Sequence, residues 1–185
     1  MKLDINPTAD VRAHLQGRLR VYRTTEEPVP GAAWPEPVID QPNLVVDSAQ
    51  DVILGLLKRE FTDSAPAYIV LGAGGDLEQV SKQDFGTRVA PDVADTEVRH
   101  VLARLPIVQI IPDPDDETTW DYVAIARPQE AQTTSLNELG LEAADNTLIS
   151  HIVTAADPGE VRAKKYVKSS LEYLVLRWTM TFTLS

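Results

Sequence analysis

The sequence predicts a mainly β fold: an antiparallel β-sandwich, one packed α-helix over about residues 48–61, and an extended proline-rich arm at residues 26–42. Three observations carry this. At the C-terminal end Leu174, Leu176, Trp178, Met180, Phe182 and Leu184 alternate with Val175, Arg177 and a series of threonines, the period of two that marks a strand with one buried side. Val52, Ile53, Leu56 and Leu57 recur instead at i, i+1, i+4 and i+5, which lines up as one apolar stripe of a helix. Pro28, Pro30, Pro35, Pro37 and Pro42 remove so many amide donors, and fix so many φ angles, that helix and central strand are excluded there.

The elements follow in order. Residues 18–24 alternate polar and apolar, with Leu19 and Val21 facing inward. After the arm comes the short apolar run Asn43-Leu44-Val45-Val46, and Asp47 or Ser48 caps the expected helix, leaving Asp51, Lys58 and Glu60 for solvent. Beyond Pro66 the pattern is strands: Tyr68-Ile69-Val70-Leu71 ending at Gly72, then residues 98–111, a mainly apolar stretch with Pro106 to break or edge it. Residues 119–127 place Trp120, Tyr122, Ala124 and Ala126 on one face and Asp121, Val123, Ile125 and Arg127 on the other. Residues 136–141 and 147–153 read as two strands joined by the turn-prone stretch 142–146. At about 3.3 Å per residue, the last strand over 171–184 reaches roughly 46 Å, long enough to leave an end for a neighbour.

Composition narrows the function classes. The 185 residues suit one domain, and at that length folding buries about 70% of the exposed surface, enough for a core without staples. There is no cysteine, so disulfides, thiolate metal sites and cysteine nucleophiles are all excluded, and assembly in a reducing cytoplasm is expected. The 28 acidic residues outnumber 17 basic ones, for a formal net charge of −11, which repels phosphate backbones; no direct nucleic-acid binding is expected. No stretch reaches the roughly 18 apolar residues of a membrane span, and the N-terminus has no apolar signal region.

Candidate chemistry reduces to structure at each place. Tyr68 to Gly75 resembles a strand entering a dinucleotide-binding turn, but Leu77 stands where the third glycine belongs, so the reading is a tight glycine turn. Asp113-Pro114-Asp115-Asp116-Glu117 lacks calcium-loop spacing, with Thr118 at the glycine position and Ala124 at the bidentate one; it reads as a solvated acidic hairpin tip. His14, His100 and His151 lie on separate segments without a His or Cys at metal-ligand spacing. No nucleophile elbow is present. Catalytic, cofactor and metal residues are therefore all expected to be absent. The interaction candidates are Trp34, Pro35 and Pro37 in the arm, and the basic cluster Lys164, Lys165 and Lys168, which can dock an acidic patch but reads first as a solvated loop.

The block Asn137-Glu138-Leu139-Gly140-Leu141, followed by Ala144-Asp145-Asn146-Thr147-Leu148-Ile149, resembles a signature of tailed-phage virion proteins of the form Asn-Glu-(Leu/Ile)-Gly-Leu, aromatic, Asp-Gly-Thr-Leu. The same block occurs in the N-terminal attachment domains of phage tail-fibre proteins. The helix after Asp47, the strand ending at Gly72 and the closing strand with Arg177-Trp178-Thr179 fall in the matching order, so the resemblance runs over about residues 18–185. Two positions depart from it: Glu142 stands at the aromatic position, marking a different environment or an interface, and Asn146 replaces the turn glycine.

The resemblance implies a non-enzymatic structural subunit of a tailed-phage particle, in the tail, baseplate or neck. With no fibre shaft after the block, an adaptor, collar or fibre-attachment component is expected. Its partners would be other virion structural proteins and further copies of itself, without cofactors and without a membrane, in a virion assembled in the bacterial host cytoplasm. The alternatives are a capsid decoration protein, or a glycan-binding β-sandwich using Trp34, Trp120 and Tyr122 as stacking platforms.

Overall fold

In the computed structural model, which describes residues 13–29, 34–49, 65–73, 94–131, 135–154 and 166–184, the alternating segments are strands. They are β1 (Ala13–Thr24), β2 (Ile39–Val45), β3 (Pro66–Gly72), β4 (Val101–Pro112), β5 (Thr119–Ala126), β6 (Ser135–Leu136), β7 (Glu138–Ala143), β8 (Leu148–Val153), β9 (Tyr166–Val167) and β10 (Tyr173–Leu184). The mainly β, antiparallel fold is as expected. The sandwich is corrected: eight strands form a closed barrel in the order β1-β10-β5-β4-β3-β7-β8-β2, and β6 pairs with β9 separately.

Closure depends on β2, which pairs with β1 over residues 39–43 and with β8 at Leu44 and Val45. Joining those strands removes the open edges a sandwich keeps. Register shifts at Leu71/Gly72, Ile107/Gln109 and Leu141/Glu142 bend and twist the strands and help carry the sheet round on itself. A period of two is the same in a sandwich and in a barrel, so local alternation could not separate them.

The proline-rich segment needs a second correction. Its last residues, 39–42, belong to β2, with Pro42 opposite Arg18. Pairing with β8 begins only at Leu44, so the amide that Pro42 lacks has no partner waiting on that side. The helix expected over 48–61 lies, beyond Ala49, outside the described residues. Ser48 Oγ there donates to the Leu148 carbonyl at 2.5 Å.

The predicted inward faces fill the barrel. Leu19, Val21, Ile69, Leu71, Leu105, Leu139, Leu141, Leu176 and Trp178 belong to one buried cluster. Each such side chain stabilises the fold by about 1.5–3 kcal/mol, and a barrel of about eight strands has an interior that side chains can fill.

The outer wall is covered as well. Val46, Val70, Val98 and Leu148 form a second buried cluster, in which Val98, from the segment before β4, lies over Gly72 and Gly140. A Cβ on Gly140 would stand 2.8 Å from Leu148 Cδ1 and closer still to Val98; one on Gly72 would stand 2.8 Å from the Arg99 carbonyl. Both glycines therefore serve close packing of a covering segment. At the β7–β8 turn Asn146 has φ 68°, a left-handed conformation that Asn tolerates and Gly adopts freely. The Asp145 carboxylate accepts the Thr147 amide at 2.9 Å.

Candidate functional site

The antiparallel register builds a site on the outside of the barrel. Asp40 pairs with Arg20, Arg20 with Arg177, Arg177 with Val123 and Val123 with Gln109, so one row of outward side chains crosses five strands. The row above is Tyr22 beside Val175, and the row below includes Arg18, Thr179, Asp121 and Ile111. Tyr22, Val123 and Val175 are buried on this outer face, with Trp34 and Ile111 packed against them. The Trp34 and Tyr22 rings meet with centroids 6.3 Å apart at 34°, within the range of favourable aromatic pairs.

Trp34, Pro35 and Pro37 form the wall of an open cleft of about 520 Å³, whose floor is Arg20, Tyr22, Asp40, Gln109, Ile111, Val123 and Arg177. The arm is thus partly laid along β1, where the Val38 amide donates to the Val21 carbonyl at 2.8 Å. Three predicted interaction residues, Trp34, Pro35 and Pro37, come together here.

Charge in the cleft is paired unevenly. Asp121 is buried and accepts from Arg177 Nη2 and from Thr179 Oγ1, the latter at 2.6 Å. The hydrogen bond to Asp121 holds the Arg177 guanidinium protonated beyond its ordinary range. Asp40 takes Arg18 Nε at 2.5 Å and has Arg20 Nε at 3.6 Å, and the hydrogen bond from Arg18 pulls its carboxyl below the usual range. One carboxylate therefore serves two guanidiniums.

The other predicted residues lie elsewhere. Glu142 is 1% exposed and takes Arg104 Nε at 2.9 Å; burial raises its carboxyl, against the pull of Arg104 and with a smaller push from Glu97. Lys168 is buried too, donating to the carbonyls of Pro128 at 3.0 Å and Ser169 at 3.3 Å, and burial lowers its ammonium. It is not part of an exposed basic surface. Lys164 and Lys165 lie outside the described residues. Trp120 and Tyr122 are on the inward face of β5, opposite in register to Met180 and Trp178, so the three-ring platform with Trp34 is not assembled.

Two polar clusters complete the picture. Residues 113–117 are the β4–β5 hairpin tip: Asp113 Oδ1 accepts the amides of Asp115 at 2.9 Å and Asp116 at 3.1 Å. Asp116 accepts from Thr118 and Thr119 hydroxyls at 2.6 and 2.8 Å, which holds its carboxyl below the usual range. His151 is fully buried, with Nδ1 2.7 Å from Asp95 and Nε2 3.7 Å from Glu138, and the Arg99 amide donates to Glu138 at 2.9 Å. This ties the covering segment to β7 and β8.

Arg20, Tyr22, Gln109, Val123 and Arg177 went unidentified as site residues because they come from distant strands. One local signal existed: Val123 and Val175 are apolar on the faces opposite to those of Ala124 and Leu176, the mark of a strand covered on both sides. Chemically the cleft offers Trp, Tyr and Arg, the residue types that carry binding energy at protein interfaces. No family model, curated protein or solved structure matches the chain.

Proposed function

We propose that this chain is a non-enzymatic structural subunit of a tailed-phage particle, an adaptor, collar or fibre-attachment component of the tail, baseplate or neck. The observation that carries the reading is the β7–β8 hairpin, because the block resembling phage attachment domains is a physical unit there. Leu139 and Leu141 enter the core, Gly140 receives Val98, and Asn146 keeps the left-handed turn in place of glycine. The outer cleft supports the same reading, since its aromatic and guanidinium lining suits contact with a protein surface.

The test is incorporation. Labelled chain mixed with purified tail, neck and baseplate components is expected to sediment with one of them, and Trp34→Ala to weaken that association by about tenfold, the effect of one interface anchor. A chain that joins no particle component and instead binds a soluble glycan overturns the proposal.

A further inference from the structure

The cleft region holds three guanidiniums, Arg18, Arg20 and Arg177, against two carboxylates, Asp40 and Asp121. It thus has a surplus positive charge in a chain whose formal net charge is −11. Asp121 is occupied by Arg177 and Thr179, and Asp40 is shared, so Arg20 is the least satisfied of the three, with its nearest carboxylate at 3.6 Å. Beside it the indole of Trp34 is half-buried at the cleft wall. A cleft of this lining and size, about 520 Å³, takes a small group of side chains that includes a carboxylate.

The chain itself carries a group of that kind. The β4–β5 tip is acidic at Asp113, Asp115, Asp116 and Glu117, and two of these hold it in shape. Asp113 and Asp116 accept the hydrogen bonds of the turn, so the tip is preorganised and loses little freedom on docking. Asp115 and Glu117 are exposed and leave their carboxylates to solvent.

The tip adjoins the Ile111 end of its own cleft and stands away from Arg20. Arg20 lies in the row of Val123, two strands across from β5, and Val123 stands four positions along β5 from Thr119, where the tip ends, which separates tip and Arg20 by about 13 Å along the strands and about 10 Å across them. Pairing of a tip carboxylate with Arg20 therefore calls for a second molecule.

We propose that the cleft receives the 113–117 hairpin tip of a second copy of this chain, with Asp115 or Glu117 on Arg20 and the tip's Pro114 against Trp34. The contact is head to tail: different patches meet, so repetition closes into a ring or runs on as a filament. It rests on the assembly reading above and deepens it by naming the self-contact.

Complementary variants test it on the full chain by sedimentation velocity. Wild type is expected to self-associate at micromolar concentration in low salt and to weaken by about tenfold or more in high salt, as charge-steered contacts do. The tip variant Asp115→Lys with Glu117→Lys, and the cleft variant Arg20→Glu, are each expected to sediment as monomers. Mixed in equal amounts they are expected to associate again, through the intact cleft of one on the intact tip of the other and through the reversed lysine tip on the reversed glutamate cleft. Should Arg20→Glu fail to fold by circular dichroism, Trp34→Ala replaces it in the same mixture.

A wild type that stays monomeric, a self-association that survives both charge reversals, or a mixture that does not associate overturns the contact. A monomer that still joins a particle component overturns this contact alone and leaves the assembly reading standing. Self-association with no particle component bound overturns the assembly reading alone.

Discussion

Replacing Gly140 with alanine measures how tightly the segment before β4 is locked to the barrel wall. The added Cβ would meet Leu148 Cδ1 at 2.8 Å and Val98 at less. Val98 has little room to yield, since its other methyl already fills the space over Gly72. Overpacking of this kind costs about 1–3 kcal/mol, and alanine in place of strand glycine returns about 0.5–1 kcal/mol, leaving a net loss of up to about 2.5 kcal/mol. Val98→Ala removes two methyls at 2% exposure, a loss of about 1.6 kcal/mol in transfer with a cavity term on top. In the double variant the obstacle and the added methyl cancel, so the combined loss falls short of the sum by about 1 kcal/mol. Urea titration of all four proteins, compared by midpoint and slope, reads this directly. Additivity to within about 0.5 kcal/mol would refute the lock, because uncoupled sites behave that way.

Two further perturbations follow from single positions. At Asn146, φ 68°, glycine is expected to be neutral or slightly stabilising, whereas valine costs about 1–2 kcal/mol; equal midpoints for the two variants would contradict the left-handed turn. Glu142→Gln removes a carboxyl that burial raises above its ordinary range. Because the folded-state value lies above the unfolded one, wild type holds that stability below the unfolded value of about 4.3 and loses it as pH climbs through the folded one. Glu142→Gln is therefore expected to gain on wild type as pH rises above the unfolded value of about 4.3, measured by urea midpoints, and a gain on acidification instead would overturn the assignment.

What could be read from the sequence was whatever is local. Leu174 to Met180 alternate because one side of β10 faces the core, and that period is visible without a partner strand. The same holds for Leu19 and Val21, and for the faces of Trp120 to Ala126. Barrel closure was out of reach because it rests on Leu44 opposite His151, residues more than a hundred positions apart. Pro42 misled for a physical reason: proline forbids a ladder bond, yet at that point only one neighbour is present to ask for it. Glu142 and Lys168 misled in the opposite direction, since each is buried only because a remote group answers its charge, Arg104 for one and the Pro128 carbonyl for the other. Of the cleft, only the arm residues Trp34, Pro35 and Pro37 could be found, because prolines and a tryptophan in an extended stretch are a local signal; the guanidiniums beneath them are not.

The two covered regions of the outer wall differ in a way that bears on function. Over β3, β7 and β8 the covering is complete: Val98 fills the space above two glycines, His151 is sealed between Asp95 and Glu138, and the apolar outward residues Val70 and Leu148 are fully buried. Over β1, β10 and β5 Trp34 packs on the cluster of Tyr22, Val123 and Val175, and Trp34, Pro35 and Pro37 line an open cleft with Arg20 and Arg177. Prolines cannot continue the ladder outward, so residues 34–38, ahead of β2, lie on the wall without adding to the sheet. A wall that needed only stability would be sealed on this side as it is on the other. Leaving two cations and an indole at the margin costs packing that the first region shows to be attainable, which is why the cleft, more than the filled interior, is where a partner is to be sought.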